Sequence, residues 1–160
     1  MQTFTFVAPS VADTQALAEV IGRVVKGGEV FELTSDLGGG KTTFTKGFAR
    51  GMGITEVVQS PTFNISLIHH GAHDLELHHF DFYRLTEPGV MRAELAESLE
   101  QPNAVVVIEW GDIVHDILPQ DRVTINLSVP EEEKRIIKIN CAQDYIAKAL
   151  YDYQQNGHIA

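Results

Sequence analysis

Residues 35–43 read SDLGGGKTT, and this stretch decides the fold. The residues before it, Glu29 to Leu33, predict a β-strand, and the residues after it, Phe44 to Gly53, predict an α-helix. A glycine-rich turn between a strand and a helix points backbone N–H groups at an anion, and the helix N-terminus adds partial positive charge. The stretch therefore predicts a phosphate-binding loop in an α/β fold.

Two side chains extend this prediction to a nucleoside triphosphate. A lysine at the position of Lys41 reaches the β- and γ-phosphates, and a hydroxyl at the position of Thr42 binds Mg²⁺. The predicted nucleotide-binding residues of the loop are Leu37, Gly38, Gly39, Gly40, Lys41, Thr42 and Thr43. An ordinary flexible glycine loop is the alternative, but such a loop has no need for Lys-Thr-Thr on the helix side.

The loop departs from the full pattern G-x-x-x-x-G-K-[ST] at its first position, which is Ser35. If this position requires a positive φ, a serine is strained there and a glycine is not.

Composition limits the class of protein. The chain has 160 residues, of which 44% are hydrophobic, and this predicts a single domain over residues 1–160. Its net charge of −10 opposes a broad nucleic-acid surface. No apolar run is long enough for a membrane span, and the N-terminus does not resemble a signal peptide. The single cysteine, Cys141, is expected to be a small buried hydrophobe and fits a reducing cytoplasm.

Periodicity predicts a mixed sheet that is parallel at its centre and has helices on both faces, in a three-layer sandwich like that of P-loop NTPases. A capping box at Ser10 and Asp13 begins the first helix, and Gly27-Gly28 is expected to end it. The other predicted elements are strands at 3–7 and 104–108, hairpins at 63–77 and 121–140, and helices at 91–99 and 144–154.

Two acids are candidates for metal and water chemistry. Glu109 follows the predicted buried strand and can hold Mg²⁺, directly or through water, if that strand is a neighbour of the loop strand. The alternative is a strand-end carboxylate that faces solvent. Asp81 lies within an aromatic strand, where a carboxylate is costly unless it is paired or metal-bound. Arg84 can be its structural partner, or Asp81 can orient water, and the pattern leaves both open.

Other polar residues give weaker signals. Thr62 follows Ser60-Pro61 and can reach the metal at the γ-phosphate from a switch-like loop, although a simple strand-start threonine is favoured. Five of the seven histidines lie between residues 69 and 79. A zinc site is imaginable there, but histidines on the surface of a hairpin are the favoured interpretation.

Four motifs together resemble the TsaE (YjeE) family. They are SDLGGGKTT at 35–43, SPTF at 60–63, HFDFYRL at 79–85 and IEW at 108–110, and their order and spacing match over nearly the whole chain. The family consists of small bacterial P-loop ATPases required for the threonylcarbamoyladenosine modification of tRNA.

The resemblance implies a role for each matching residue. Lys41 is implied to bind phosphates, Thr42 and Glu109 to bind Mg²⁺, and Asp81 to be needed for ATP hydrolysis. Thr62 is implied to lie in a switch-like loop that takes part in catalysis. The segment around Thr14 is similar to the family's contact on the adenine side. The family usually has Gly where Ser35 stands and Ala where Gly39 stands.

The resemblance also implies ATP and Mg²⁺ as cofactors and TsaD and TsaB-like proteins as partners in the cytoplasm. The tRNA is reached only indirectly, through the complex, and no membrane is involved. Two other functions remain open on the same fold. One is a small-molecule P-loop kinase, and the other is a nucleotide-switched binding module with negligible turnover.

Overall fold

The computed structural model describes residues 1–36, 38–59, 66–83, 85–87 and 89–157. The strands are β1 Gln2–Ala8, β2 Val30–Ser35, β3 Ser66–His70, β4 Glu76–Asp81, β5 Ala104–Glu109, β6 Val123–Ser128 and β7 Arg135–Cys141. The helices are α1 Val11–Gly22, α2 Lys41–Gly51, α3 Gly89–Glu100 and α4 Asp144–Gln155, with a 3-10 helix at Gly111–Ile117.

One seven-stranded sheet organises these elements, in the order β1-β7-β6-β2-β5-β4-β3. The central strands β6, β2, β5 and β4 are parallel, and the pairs β1–β7, β7–β6 and β4–β3 are antiparallel. The prediction of a mixed sheet with a parallel centre is confirmed. In such a sheet, ligands bind outside the carboxyl ends of the parallel strands.

Helices cover both faces of this sheet, as predicted. On one face, α1, α2 and α4 pack on residues such as Phe31 and Val107. On the other, α3 and the 3-10 helix pack on residues such as Val106 and Ile108. Every residue of β5 is buried, because alternate side chains point into the two separate cores.

The first helix begins as predicted but ends earlier. Ser10 Oγ accepts a hydrogen bond from the Asp13 N–H at 3.2 Å, which confirms Ser10 as the N-cap, and the Asp13 carboxylate accepts from the Ser10 hydroxyl at 2.6 Å. The predicted end at Gly27-Gly28 is wrong, because α1 stops at Gly22. Beyond Gly22, the Lys26 and Gly27 N–H groups donate to the Glu29 carboxylate at 2.6 and 2.7 Å, so they do not continue the helix.

Two other predictions need correction. Asp81 is the last residue of β4 rather than an acid inside a strand, because the β4–β5 ladder ends where Asp81 pairs with Glu109. The histidines are not all on the surface, because His69, His78 and His79 are buried. His78 and His79 belong to β4, which lies inside the sheet between β3 and β5 with a core on each face.

The cysteine prediction is confirmed. Cys141 is free and fully buried on β7, and burial raises the pKa of its thiol. Within the described ranges, every helix is too short or too polar to cross a membrane.

Candidate nucleotide-binding site

The carboxyl edge of the parallel strands brings the predicted site residues into one row. In the sheet register, Leu33 of β2 lies opposite Glu109 of β5, and Glu109 lies opposite Asp81 of β4. Because side chains alternate along a strand, Ser35, Glu109 and Asp81 all project toward the face that carries α2. The condition for the Mg²⁺ prediction is therefore met, since β5 is the direct neighbour of the loop strand.

The loop between β2 and α2 reverses the chain through residues that favour glycine. Gly40 has φ +99°, in the left-handed region, and it is the N-cap of α2. The Gly39 N–H donates to Asp36 O at 2.9 Å. The first N–H groups of an α-helix have no partner within the helix, and Gly40 has no side chain to cap them. These N–H groups are therefore available to an anion.

Lys41 is a buried cation inside this loop, with 6% of its surface exposed. Its Nζ donates to Ser35 Oγ at 2.9 Å and lies 4.7 Å from the centre of the Trp110 ring. Among the described residues no carboxylate pairs with this ammonium, whose contacts are the Ser35 hydroxyl, the Ser35 carbonyl and the indole ring. A buried charge is costly without an opposite charge, so the site is complementary to a bound anion.

Ser35 adopts ordinary extended backbone as the last residue of β2. It is not among the described non-glycine residues with positive φ, so the strain that a positive φ would impose is absent. Its hydroxyl donates to Asp36 O at 2.8 Å while it accepts from Lys41. The serine is therefore compatible with this loop.

Glu109 is buried rather than solvent-facing, with 3% of its surface exposed. His79 Nε2 donates to Glu109 Oε2 at 2.5 Å, and His79 is itself fully buried. The sequence analysis did not select His79. The signal that could have found it is its position two residues before Asp81, which places both side chains on the same face of β4.

Asp81 is half-buried, and its Oδ1 accepts from the Tyr83 N–H at 3.0 Å. This bond shapes the turn that follows β4. The Tyr83 ring packs on Trp110, with 4.8 Å between ring centres. An aromatic pair therefore borders the two carboxylates and Lys41.

Arg135 is a second residue that sequence reasoning missed. It begins β7, and its Nε donates to Gly39 O at 3.0 Å. A cation thus lies directly on the glycine loop, although the two residues are far apart in the sequence. No local sequence pattern predicts this contact, because it depends on the antiparallel pairing of β7 with β6.

Three predicted threonines lie on the helices α1 and α2. Thr42 and Thr43 lie half-buried in the first turn of α2. Thr14 lies on α1, which packs against α2; it is 1% exposed, and its Oγ1 has no hydrogen-bond partner among the described residues. Leu37 and Thr62 lie outside the described residues. The binding and catalytic roles of all these residues stay predictions.

The donor set at this edge suits a hard cation better than zinc. The part of the chain that the structure describes contains no group of three or more His, Cys, Asp or Glu residues that could hold a metal. Mg²⁺ needs fewer protein ligands, since one or two oxygen atoms of the protein help the phosphates of a nucleotide to complete its coordination shell. Thr42, Glu109 and Asp81 offer such oxygen atoms, so these residues fit Mg²⁺.

A cavity of about 510 Å³ opens beside the loop on the side away from Glu109. It lies along the carboxyl ends of β2 and β6, with Ser35, Asp36, Asn126 and Ser128 among its lining residues. The carboxyl edge of the sheet is therefore concave on the β6 side of the loop strand.

We expect His79→Leu to lower the free energy of unfolding by about 2 kcal/mol, because it leaves the buried Glu109 carboxylate without its donor. Urea denaturation measures the change. In a Glu109→Gln background, the same substitution should cost clearly less, since no charge is then left unpaired. Equal losses in both backgrounds would show that the His79–Glu109 bond does not stabilise the fold.

Comparisons with known proteins agree with this geometry. The family model described as "Threonylcarbamoyl adenosine biosynthesis protein TsaE" matches residues 8–137. The chain belongs to the TsaE family. A TsaE protein of Treponema pallidum is 39% identical over 133 residues, which cover 83% of this chain and 97% of that protein. A TsaE protein of Bacillus subtilis is 37% identical over 126 residues, which cover 78% of this chain and 77% of the relative.

A solved structure described as Bacillus subtilis YdiB has the same fold. It superposes with a TM-score of 0.76 at 29% identity and covers 98% of this chain and 97% of its own. The resemblance drawn from four motifs is therefore confirmed, and so is the α/β fold class. Both relatives carry the name "tRNA threonylcarbamoyladenosine biosynthesis protein TsaE", so the TsaE family places this chain in tRNA threonylcarbamoyladenosine biosynthesis.

Proposed function

We propose that this chain is a Mg²⁺-dependent ATPase. It acts in the cytoplasm as the partner of a TsaB–TsaD threonylcarbamoyl transferase assembly, which modifies adenosine 37 of tRNA. ATP hydrolysis resets the assembly for another turnover. The acidic net charge of −10 supports a role in which other subunits bind the tRNA.

The observation that carries the proposal is the buried Lys41 ammonium, which has only neutral partners among the described residues. Phosphate oxygens form charge-assisted hydrogen bonds with an ammonium, which are roughly twice as strong as neutral ones. The N–H groups at the start of α2 provide further donors beside it. A triphosphate in the loop thus supplies a negative charge that none of the described residues brings to Lys41.

Thr42 and Glu109 hold the metal in this proposal. Thr42 lies in the first turn of α2, and Glu109 ends the neighbouring strand with His79 fixing one carboxylate oxygen. Mg²⁺ held by these residues would supply positive charge next to the oxygen atoms of the phosphoryl group.

Asp81 lies beside Glu109 in the register of β4 and β5. From this position its carboxylate orients either the attacking water or a water molecule bound to the metal. Lys41 stabilises the charge on the γ-phosphate as water attacks in line. Thr62 contributes from a switch-like loop, and Thr14 contacts the adenine side, with Leu37 completing the phosphate loop. These three roles rest on the family resemblance.

The test is phosphate release with the chain alone, with purified TsaB and TsaD, and with both plus tRNA. We expect slow release alone and clear stimulation by the partners. Lys41→Met is the control, and it should abolish release in every mixture. Stimulation that survives in Lys41→Met would contradict the proposal.

The same experiment separates the two alternatives. A nucleotide-switched binding module would bind ATP without releasing phosphate in any mixture. A small-molecule kinase would transfer the γ-phosphate to a metabolite rather than to water, and ³¹P NMR of the products distinguishes these fates. Either result would overturn the ATPase proposal.

A further inference from the structure

The Ser35 side chain lies inside the phosphate loop rather than outside it. Its Oγ accepts from Lys41 Nζ at 2.9 Å and donates to Asp36 O at 2.8 Å. The hydroxyl therefore connects the lysine to the backbone at the start of the loop.

The Ser35 side chain occupies the space that a side chain at position 39 would need. A Cβ added at Gly39 would lie 2.3 Å from Ser35 Oγ and 2.5 Å from Ser35 Cβ, and 2.9 Å from the backbone oxygen of Asp36. Gly38 and Gly40 have positive φ, whereas Gly39 does not. The positive φ explains why residues 38 and 40 are glycine. At position 39 the reason is that a side chain has too little room. The two shortest contacts of the added Cβ are to Ser35, so the serine side chain takes most of the space that a side chain at 39 would need.

We propose that Ser35 is a positioning residue that holds Lys41 in the loop before nucleotide binds, and that its side chain is the main obstacle to a side chain at position 39. The inference rests on the proposed nucleotide binding. An ammonium has three donor hydrogens; Ser35 Oγ engages one at 2.9 Å, and the Ser35 carbonyl is a weaker partner at 3.5 Å. Ser35 therefore orients Lys41 without excluding a phosphate, which binds to the hydrogens that remain.

This arrangement reduces the conformational freedom that the Lys41 side chain must lose when nucleotide binds. A free lysine side chain samples many rotamers, and fixing it at binding lowers affinity. Here the Ser35 hydroxyl and the Trp110 ring already confine Nζ between them. The lysine is thus placed for the phosphates before they arrive.

The first experiment measures the affinity for Mg-ATP by calorimetry in wild type, Gly39→Ala, Ser35→Gly and the double variant. Gly39→Ala should weaken binding about tenfold or more in the Ser35 background, because its methyl group displaces the serine. In the Ser35→Gly background the same change should cost clearly less, because only the contact with the Asp36 backbone oxygen remains. Circular dichroism checks that every variant is folded.

The second experiment separates the hydroxyl from the volume, and it does not depend on Gly39→Ala. Ser35→Ala keeps the Cβ and removes only the hydroxyl. It should weaken Mg-ATP binding about threefold to tenfold, because Lys41 must then be ordered at binding. The chain has a single tryptophan, Trp110, next to Lys41 Nζ. Its emission in the nucleotide-free protein should therefore shift in Ser35→Ala toward the value in Lys41→Met.

The outcomes distinguish this inference from the proposed function. Absence of Mg-ATP binding by the wild type would overturn the proposed function itself. Binding by the wild type with an equal Gly39→Ala penalty in both backgrounds would overturn the coupling of positions 35 and 39. Unchanged affinity and Trp110 emission in Ser35→Ala would overturn the positioning role.

Discussion

Replacing Lys41 with methionine is expected to reduce the affinity for ATP by about 100-fold or more. The ammonium supplies charge-assisted hydrogen bonds to the phosphates, each worth about 1.5–3 kcal/mol. Methionine keeps a similar length and removes the charge, so the buried position remains filled. Because Lys41 is buried among neutral groups in the described part of the chain, the nucleotide-free variant should be at least as stable as the wild type.

Calorimetry with Mg-ATP measures the loss, and a second lysine of the same helix provides the control. Lys46 lies on the exposed side of α2. Lys46→Met changes the net charge by the same amount without touching the loop. We expect it to bind ATP like the wild type. If Lys41→Met also bound ATP like the wild type, the phosphate site would not be at this loop.

Replacing Glu109 with glutamine is expected to lower the rate of ATP hydrolysis by about 100-fold or more, since metal and electrostatic stabilisation contribute on this scale. Glutamine keeps an oxygen that can accept from His79, so the pair at the end of β5 stays hydrogen-bonded. What is lost is the negative charge toward Mg²⁺. The affinity for ATP without Mg²⁺ should change little.

Two measurements check this expectation. Phosphate release gives the rate, and electron paramagnetic resonance with Mn²⁺ in place of Mg²⁺ gives metal affinity independently of turnover. Glu32→Gln is the matched control, because Glu32 is a buried acid on β2 that pairs with Arg122 at 2.8 Å. It should lower stability and leave Mn²⁺ affinity unchanged. Wild-type Mn²⁺ affinity in Glu109→Gln would remove Glu109 from the metal site.

Local patterns in the sequence predicted much of the fold. The capping box at Ser10, the continuous apolar run of β5 and the glycine loop before Lys41 are each determined by neighbouring residues. The predicted end of α1 is wrong because the Lys26 and Gly27 N–H groups bind the Glu29 carboxylate instead of helix carbonyls. Hydrophobic periodicity does not show such a side-chain contact.

The sequence predicts where a site residue lies along its own strand, but not which strands are neighbours in the sheet. The sequence placed Glu109 at the carboxyl end of a strand but did not show which strand lies beside it. The His79–Glu109 and Arg135–Gly39 contacts both arise from strand order. For the same reason, the histidines were interpreted as exposed, although β4 lies inside the sheet.

The two departures from the family pattern show the same limit. In the sequence, Ser35 and Gly39 are two separate departures from the family pattern. In the structure they are one contact, because the serine occupies the space that a side chain at 39 would need. Only the path of the loop brings these positions together.

The most direct test of the central claim is ¹⁵N NMR of the backbone amides during titration with Mg-ATP and, separately, with adenosine. We predict that the amide signals of Gly39, Gly40, Lys41 and Thr42 shift strongly with Mg-ATP and remain nearly unchanged with adenosine. If these amides did not respond to Mg-ATP, or if the shifts appeared only elsewhere in the chain, the loop at residues 35–43 would not be a triphosphate site.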